Sequence, residues 1–273
     1  MKKLSTLVVA GAGAMLMAHS SQAALSYSNG DMLLGFRSAS GSSNLEVDLG
    51  SVTQILNVAG TGQVLSFNSK FTSADITAGV GTAGSGTLNN AIWSVSGAVN
   101  LVGQISGASK NTLWVTSARG LNSANISTQT TPWTPGTVTA QGNTVAPVLT
   151  VGSGFASASG TAASPTTAAV IANGANSYAD NIGSNGDFGQ FQGNIENTLA
   201  STFVSGGSVA RSDFYQLTPN AANATYLGYF ELGQAGALSF VAVPESGTYA
   251  AALGAGLMAF ALFRAHRKSL AHS

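Results

Sequence analysis

Apolar and polar side chains alternate along short runs through most of this chain. A period of two is typical of strands that bury one face. It predicts strands at residues 32–37, 45–49, 64–67, 92–99, 113–116, 145–151, 214–217, 226–232 and 238–243. The last two are separated by residues 233–236, a connection suited to an antiparallel hairpin. We therefore expect a mainly β fold, an antiparallel β-sandwich-like domain.

Two stretches have helical spacing instead. Ser51 and Gln54 are spaced as a capping box before a short helix near residues 52–56. A second helix is predicted at residues 189–202. The apolar residues that recur there at helical spacing are Phe188, Phe191, Ile195, Leu199 and Phe203. Residues 120–179 carry no charge, and their turn-rich pattern favours short strands with long loops.

Charge is scarce over the 273 residues. Only 7% are charged, against about 25% in ordinary soluble domains, and the formal net charge is +0. A chain without a basic excess has no field to capture a polyanion, so nucleic-acid binding is excluded as a main function. The absence of cysteine excludes disulfides and thiolate metal sites.

The amino end has the pattern of a secretory signal. Lys2 and Lys3 precede an apolar stretch at residues 4–18, and Ser21 and Ala23 are the small residues of a cleavage site. We expect Sec export and cleavage by signal peptidase after Ala23. An uncleaved anchor is the weaker alternative, because the apolar run is short.

The carboxyl end carries the most specific pattern. An uncharged run at residues 247–263 is followed by the basic residues Arg264, Arg267 and Lys268. Seventeen residues of helix span about 25 Å, enough to cross a bilayer when basic side chains snorkel beyond it. The positive-inside rule leaves the body of the chain outside. A buried terminal helix explains neither the lack of a polar stripe nor the basic stop.

Residues 24–243, named the passenger here, have little proton-handling chemistry. They contain five basic and nine acidic residues, no cysteine and no histidine, since His19, His266 and His272 lie in the terminal segments. Imidazole-dependent nucleophiles and zinc or copper sites are thereby excluded, and we expect no enzyme activity and no cofactor. Glu46 and Asp48 face one side of a predicted strand and would suit an acid and base pair. A solvated outer face is the favoured interpretation.

Two further motifs are weak. Residues 79–84 match G-x-G-x-x-G, a nucleotide-binding spacing, but no helix pattern follows and a loop is favoured. Residues 180–187 hold Asp180 and Asp187 among asparagines, as a calcium loop would, but position 192 is Gln192 rather than an acid. A turn explains that segment, and no metal site is predicted.

The terminal motif of Val243, Pro244, Glu245 and Ser246, with the hydrophobic helix and basic end after it, resembles the PEP-CTERM sorting signal of Gram-negative exopolysaccharide-producing bacteria. The family commonly has proline where this chain has Ser246. The resemblance implies that an inner-membrane exosortase recognises the motif, cuts nearby, and releases or attaches the passenger at the surface. Proline is expected to hold the chain extended and unpaired there.

The passenger is also similar to a group of PEP-CTERM proteins at residues 30–37, 44–50, 111–116 and 226–232. That group brings no assigned activity, and the likeness implies an exported protein of the cell surface or biofilm matrix. The expected organisation is a signal peptide at 1–23, the passenger at 24–243 and the sorting signal at 244–273.

We expect a non-enzymatic matrix component that contacts exopolysaccharide through many hydroxyl and amide side chains. Trp93, Trp114 and Trp133 would stack on sugar rings if exposed, whereas burial is the favoured interpretation for Trp93 and Trp114. The alternative function is an extracellular carbohydrate-active or carbohydrate-binding protein that uses carboxylates and exposed aromatics.

Overall fold

A computed structural model describes residues 25–80, 91–119, 134–158, 167–188, 194–198, 209–233, 236–244, 257–258 and 260. Among these residues, all the strands belong to one curled antiparallel sheet. The strands are β1 Asp31–Ser38, β2 Ser43–Ser51, β3 Val64–Ser66, β4 Ala91–Ala98, β5 Leu113–Ala118, β6 Ala168–Ala172, β7 Asn197–Thr198, β8 Val209–Leu217, β9 Thr225–Gly233 and β10 Leu238–Ala242.

The order across the sheet is β3-β10-β9-β8-β5-β4-β1-β2-β6, and β7 pairs with β4. The mainly β, antiparallel fold is confirmed. Two packed sheets are not found in the described residues, because helices rather than a second sheet cover the single sheet. The predicted hairpin is also confirmed: Leu232 pairs with Leu238, and the Gly233 amide donates to the Ala237 carbonyl at 2.8 Å.

Strand alternation directs apolar side chains to two faces. Met32, Leu34 and Phe36 of β1 join a cluster rich in aromatic rings, which the helices α1 Thr53–Val58 and α2 Ser73–Val80 cover. Leu33 points to the opposite face, where it meets the helices α3 Val138–Ser157 and α4 Tyr178–Ile182. Each large side chain that is fully buried in this way contributes about 1.5–3 kcal/mol.

The strand predicted at residues 145–151 is wrong, because these residues lie inside α3. Val145, Val148 and Val151 recur every three residues, so they form one buried stripe on a helix. Thr137 caps that helix by accepting a hydrogen bond from the Ala140 amide at 3.2 Å. Packing of this stripe against the sheet outweighs the strand preference of valine.

Of the two predicted helices, one forms and the other does not form where it is described. The short helix after Ser51 forms as α1, but the capping box does not: Val52 is the N-cap residue, and the Gln54 amide donates to the Leu49 carbonyl at 2.9 Å. The helix predicted at residues 189–202 is wrong where it is described. Asn197 and Thr198 form β7, because their backbones pair with Trp93 and Ile92 of β4.

The register of the sheet defines the end from which the chain leaves. β4, β8 and β10 run in the same direction, because each is antiparallel to β5 or β9 between them. Their carboxyl ends therefore lie at one end of the sheet, together with the start of β3 and the 99–112 loop between β4 and β5. We call this end of the sheet the exit end, since the chain leaves β10 there and continues to Pro244.

Candidate functional site

Two residues of the predicted sorting motif, Val243 and Pro244, are described, and Pro244 is tied to the body. After β10, the Ala242 amide donates to the Gln63 carbonyl at 2.9 Å, and Pro244 forms a parallel bridge with Gly60. Gly62 has a φ of +76°, and a Cβ added there would lie 2.8 Å from Pro244 Cγ. The expectation of an unpaired proline is therefore wrong: the turn at residues 60–63 lies alongside Pro244.

Beyond Pro244, three residues of the predicted hydrophobic helix are described. Leu257, Met258 and Phe260 are helical, and they are 69%, 68% and 64% exposed. Helices in the described part of the chain are all too short or too polar to traverse a bilayer. The rest of residues 247–263 falls outside the described residues.

Several other predicted site residues also lie outside the described residues. Those with a predicted role in export or sorting are Ser21, Ala23, Glu245, Ser246, Arg264, Arg267 and Lys268. Trp133, the third candidate for sugar stacking, lies outside them as well. Their predicted roles stay predictions.

Trp93 and Trp114 do not present a face to sugar. Both have 0% exposure and belong to the aromatic-rich cluster on the α1/α2 face. The indole of Trp114 donates from Nε1 to Gln216 Oε1 at 3.1 Å. Alternation places both rings inward on their strands, so sugar stacking by these two residues is excluded in this fold and the burial interpretation is confirmed.

Glu46 is buried rather than solvated. Its carboxylate has 0% exposure, and Oε1 accepts hydrogen bonds from the Tyr178 amide at 2.6 Å and from Asn44 Nδ2 at 2.8 Å. Oε2 has no hydrogen-bond partner. Burial raises the pKa of Glu46 to about 8, although the hydrogen bonds oppose the shift. The predicted solvated face is wrong here because α4 covers this part of β2.

Asp48 lies two residues further along β2 and is less enclosed. Its Oδ1 accepts from the Gly50 amide at 2.7 Å. Burial, with the nearby charge of Asp31 adding to it, raises the pKa of Asp48 to about 6. Glu46 cannot reach a polysaccharide from its buried position, so the two carboxylates are not available together as a pair for acid and base catalysis.

Sequence reasoning missed a network of charges next to Glu46. Arg37 of β1 forms a bidentate ion pair with Glu196, and Glu196 Oε1 also accepts from the Tyr178 hydroxyl at 2.9 Å. Ser94 Oγ lies 2.6 Å from the same hydroxyl. Gly35 makes this approach possible, since a side chain there would overlap the Tyr178 ring. Glu196 and Arg37 are 159 positions apart, and only the fold brings them together.

A second buried pair lies on β8 and at the end of β5. Arg119 donates to Asp213 Oδ1 from Nε at 3.1 Å and from Nη2 at 2.7 Å, and the Tyr226 hydroxyl donates to the same oxygen at 3.0 Å. The guanidinium stacks 4.1 Å from the centre of the Tyr229 ring. Both pairs fasten the body, and neither leaves an exposed group placed to act on a substrate.

The two weak motifs gain no support. Gly79 and Val80 are the last residues of α2, so the loop predicted there is wrong at these two positions, and a side chain at Gly79 would overlap Leu45. Residues 81–84 lie outside the described residues. Asn181 turns its amide toward the carbonyls of Ala175 and Ser177, both at 2.9 Å, so it offers donors rather than metal ligands. In the described ranges, no three acidic or histidine side chains gather as a metal site would require.

No protein-family model, curated protein or solved structure matches this chain.

Proposed function

We propose that this chain is an exported, non-enzymatic protein of the cell surface or exopolysaccharide matrix. In this proposal its carboxyl-terminal helix tethers the precursor in the inner membrane. An exosortase then processes it at the motif of Pro244 and Glu245. The passenger is afterwards released or attached at the surface, where it contacts polysaccharide through its uncharged polar side chains.

The observation that carries the proposal is the exposure of the three described residues of the predicted terminal helix. Leu257, Met258 and Phe260 are each about two-thirds exposed, so no described part of the body covers them. Large apolar side chains grouped on one short segment are favourable only against another apolar phase or partner. A lipid anchor fits a segment of this kind that ends in Arg264, Arg267 and Lys268.

The fate of the ionisable groups supports a binding role over catalysis. Glu196 forms an ion pair with Arg37, and Asp213 forms one with Arg119. Glu46 is fully buried beneath α4. The passenger has no histidine to move a proton between such groups. The exposed positions in the described part of the passenger instead include many hydroxyl and amide side chains, such as Ser40, Asn57 and Thr61. Side chains of this kind can exchange hydrogen bonds with sugar hydroxyls at many weak points.

A carbohydrate-active enzyme is the second candidate, and one observation favours it. Burial raises the pKa of Asp48 to about 6, with the nearby charge of Asp31 adding to the shift, and a raised carboxyl pKa is typical of many acid catalysts. Under this alternative, Asp48→Asn would abolish cleavage of a matrix polysaccharide that the parent chain degrades. Absence of turnover by the parent chain on a polysaccharide panel would remove the candidate.

Processing in the native host tests the proposal. The double variant Pro244→Ala with Glu245→Ala should accumulate as an uncleaved precursor in the inner-membrane fraction. Pro147→Ala is the matched control, since Pro147 lies inside α3, on the face of the sheet opposite α1, and it should be processed like the parent chain. If the double variant matured normally, the sorting role of the motif would be refuted.

A further inference from the structure

The exposed large apolar residues of the body are grouped at the exit end. Within the described residues of the body, the large hydrophobic side chains that remain exposed are Val64 at 61%, Leu101 at 58%, Val102 at 77% and Val138 at 37%. Scattered single residues of this kind need no explanation, but four at one end of the sheet form a pattern.

The topology fixes the position of each of them. Val64 begins β3 and pairs with Val241, next to the end of β10. Leu101 and Val102 lie in the 99–112 loop that leaves β4 at this end. Val138 begins α3, and its carbonyl accepts from Asn111 Nδ2 of that same loop at 2.8 Å.

The charge of this loop suits an anionic surface. Lys110 is exposed, and residues 99–112 include no acidic side chain. The acidic residue beside this loop, Asp31 at the start of β1, is half-buried, and its Oδ2 accepts from the Ser28 amide at 2.7 Å. The opposite end of the sheet differs: the turn between β1 and β2 exposes Ser40 and Ser42, with no large apolar side chain. The two ends of the body therefore differ in polarity.

The short connection to the tail places the exit end near the bilayer. Pro244 is fixed to the turn at residues 60–63, and the predicted membrane segment begins three residues later, at position 247. Three residues reach at most about 10 Å when extended. The polar interface on each side of the hydrocarbon is about 5–7 Å thick. A body on so short a connection has its exit end within reach of the lipid headgroups.

We propose that the exit end is a membrane-contacting surface while the chain is tethered. Leu101 and Val102 enter the headgroup layer, Val64 and Val138 lie at its margin, and Lys110 faces anionic headgroups. The proposal rests on the proposed function of the tail. The contact holds the body upright on the membrane, with its polar end directed away from the bilayer.

Fluorescence quenching in the full chain tests the contact. The chain has no cysteine, so Val102→Cys, Ser106→Cys, Ser40→Cys and Met258→Cys each accept a single environment-sensitive dye. The labelled chains are reconstituted in phosphatidylcholine vesicles with a minority of phosphatidylglycerol and with nitroxide-labelled lipid headgroups. Ser106 is a second, polar position of the loop, and Ser40 is the matched control at the opposite end.

We expect dyes at 102 and 106 to be quenched several-fold more than the dye at 40, and the dye at 258 to respond to nitroxides placed deep in the acyl chains. If the dye at 258 responds and those at 102 and 106 behave like the dye at 40, the contact is refuted and the tether stands. If the dye at 258 stays unquenched, the tether is refuted. Strong quenching at 102 and 106 would then still support the lipid contact, and weak quenching there would refute it too.

Discussion

Glu196 accepts hydrogen bonds from both Nε and Nη2 of Arg37, at 2.7 Å and 2.6 Å. This ion pair fastens the segment ahead of β7 to β1. The Arg37 side chain is only 14% exposed and the Glu196 side chain only 1%. An ion pair this deeply buried depends on both partners being present, because a single charge left behind has no water to solvate it. The pair also orients the Tyr178 hydroxyl, so α4 shares the same fastening.

Removal of one partner should destabilise the passenger strongly. Arg37→Gln leaves Glu196 as an unpaired buried carboxylate, and we expect the free energy of unfolding to fall by about 3–5 kcal/mol. The measurement is urea unfolding of the chain from Ala24 to Ser246, followed by tryptophan fluorescence.

The matched control is the more exposed pair of Arg211 and Glu231, whose side chains are 37% and 23% exposed. Solvent screens this pair, so Arg211→Gln should cost no more than about 1 kcal/mol. Equal losses for Arg37→Gln and Arg211→Gln would contradict the role assigned to Glu196.

The buried carboxyl of Glu46 should give the passenger a pH-dependent stability. The pKa of Glu46 is raised to about 8 when folded and is about 4.3 in an unfolded chain, so between these values the folded state holds a proton that the unfolded state has lost. The free energy of unfolding should therefore fall as the pH rises, by roughly 1 kcal/mol per pH unit, until Glu46 ionises in the folded state.

The window from about pH 7 to 8 isolates Glu46. Asp48, with a folded pKa of about 6, is almost fully ionised above pH 7, and the passenger has no histidine. Glu46→Gln should flatten the dependence in that window, whereas Asp48→Asn should leave it unchanged. Unfolding curves at a series of pH values provide the check, and a slope that survives Glu46→Gln would show the assignment to be wrong.

Gly35 should resist substitution because of its neighbour rather than its backbone angle. A methyl group there would overlap the ring of Tyr178, which is fully enclosed. Gly35→Ala should therefore lower stability by about 1–3 kcal/mol or more. Gly174→Ala is the control, since no atom lies within 4 Å of its added Cβ, and it should change stability by less than about 0.5 kcal/mol.

The turn against Pro244 should slow processing of the sorting motif. Gly62→Ala places a Cβ against the proline ring and should loosen the bridge between Pro244 and Gly60. The proposed exosortase should then bind the motif more easily. Gly103→Ala is matched to it, because Gly103 has a similarly positive φ of +86° but nothing within 4 Å. Pulse-chase labelling in the host should show faster maturation for Gly62→Ala alone, and equal rates would count against a masked motif.

The strands were predictable where a period of two placed one apolar face against a core. β2 has that pattern in the sequence and forms where it predicts it. β1 and β9 also form where they were expected, but they bury side chains on both faces. The helix α3 was not predictable from the sequence, because Val145, Val148 and Val151 have the composition of a strand. Their contact with the sheet selects the helix. Tertiary packing decided this element, and local preference did not.

The ends of the chain were easier to interpret than its interior chemistry. A basic stop after an apolar run is a local pattern, so Arg264 and its neighbours could be noticed without a fold. The pairing of Arg37 with Glu196 could not be predicted from the sequence, since it depends on how β1 and β7 each pair with β4. Glu46 was misjudged for a related reason: alternation gave its side of the strand, but not the helix that covers it.

If the terminal segment is a temporary tether that is removed after export, the mature chain in the native host lacks it, and intact mass measurement with terminal sequencing of that chain is the decisive experiment. We expect a chain that begins at Ala24 and ends close to Pro244 and Glu245, recovered from the surface or matrix fraction. A mature chain that retains Leu257 through Lys268 would contradict it.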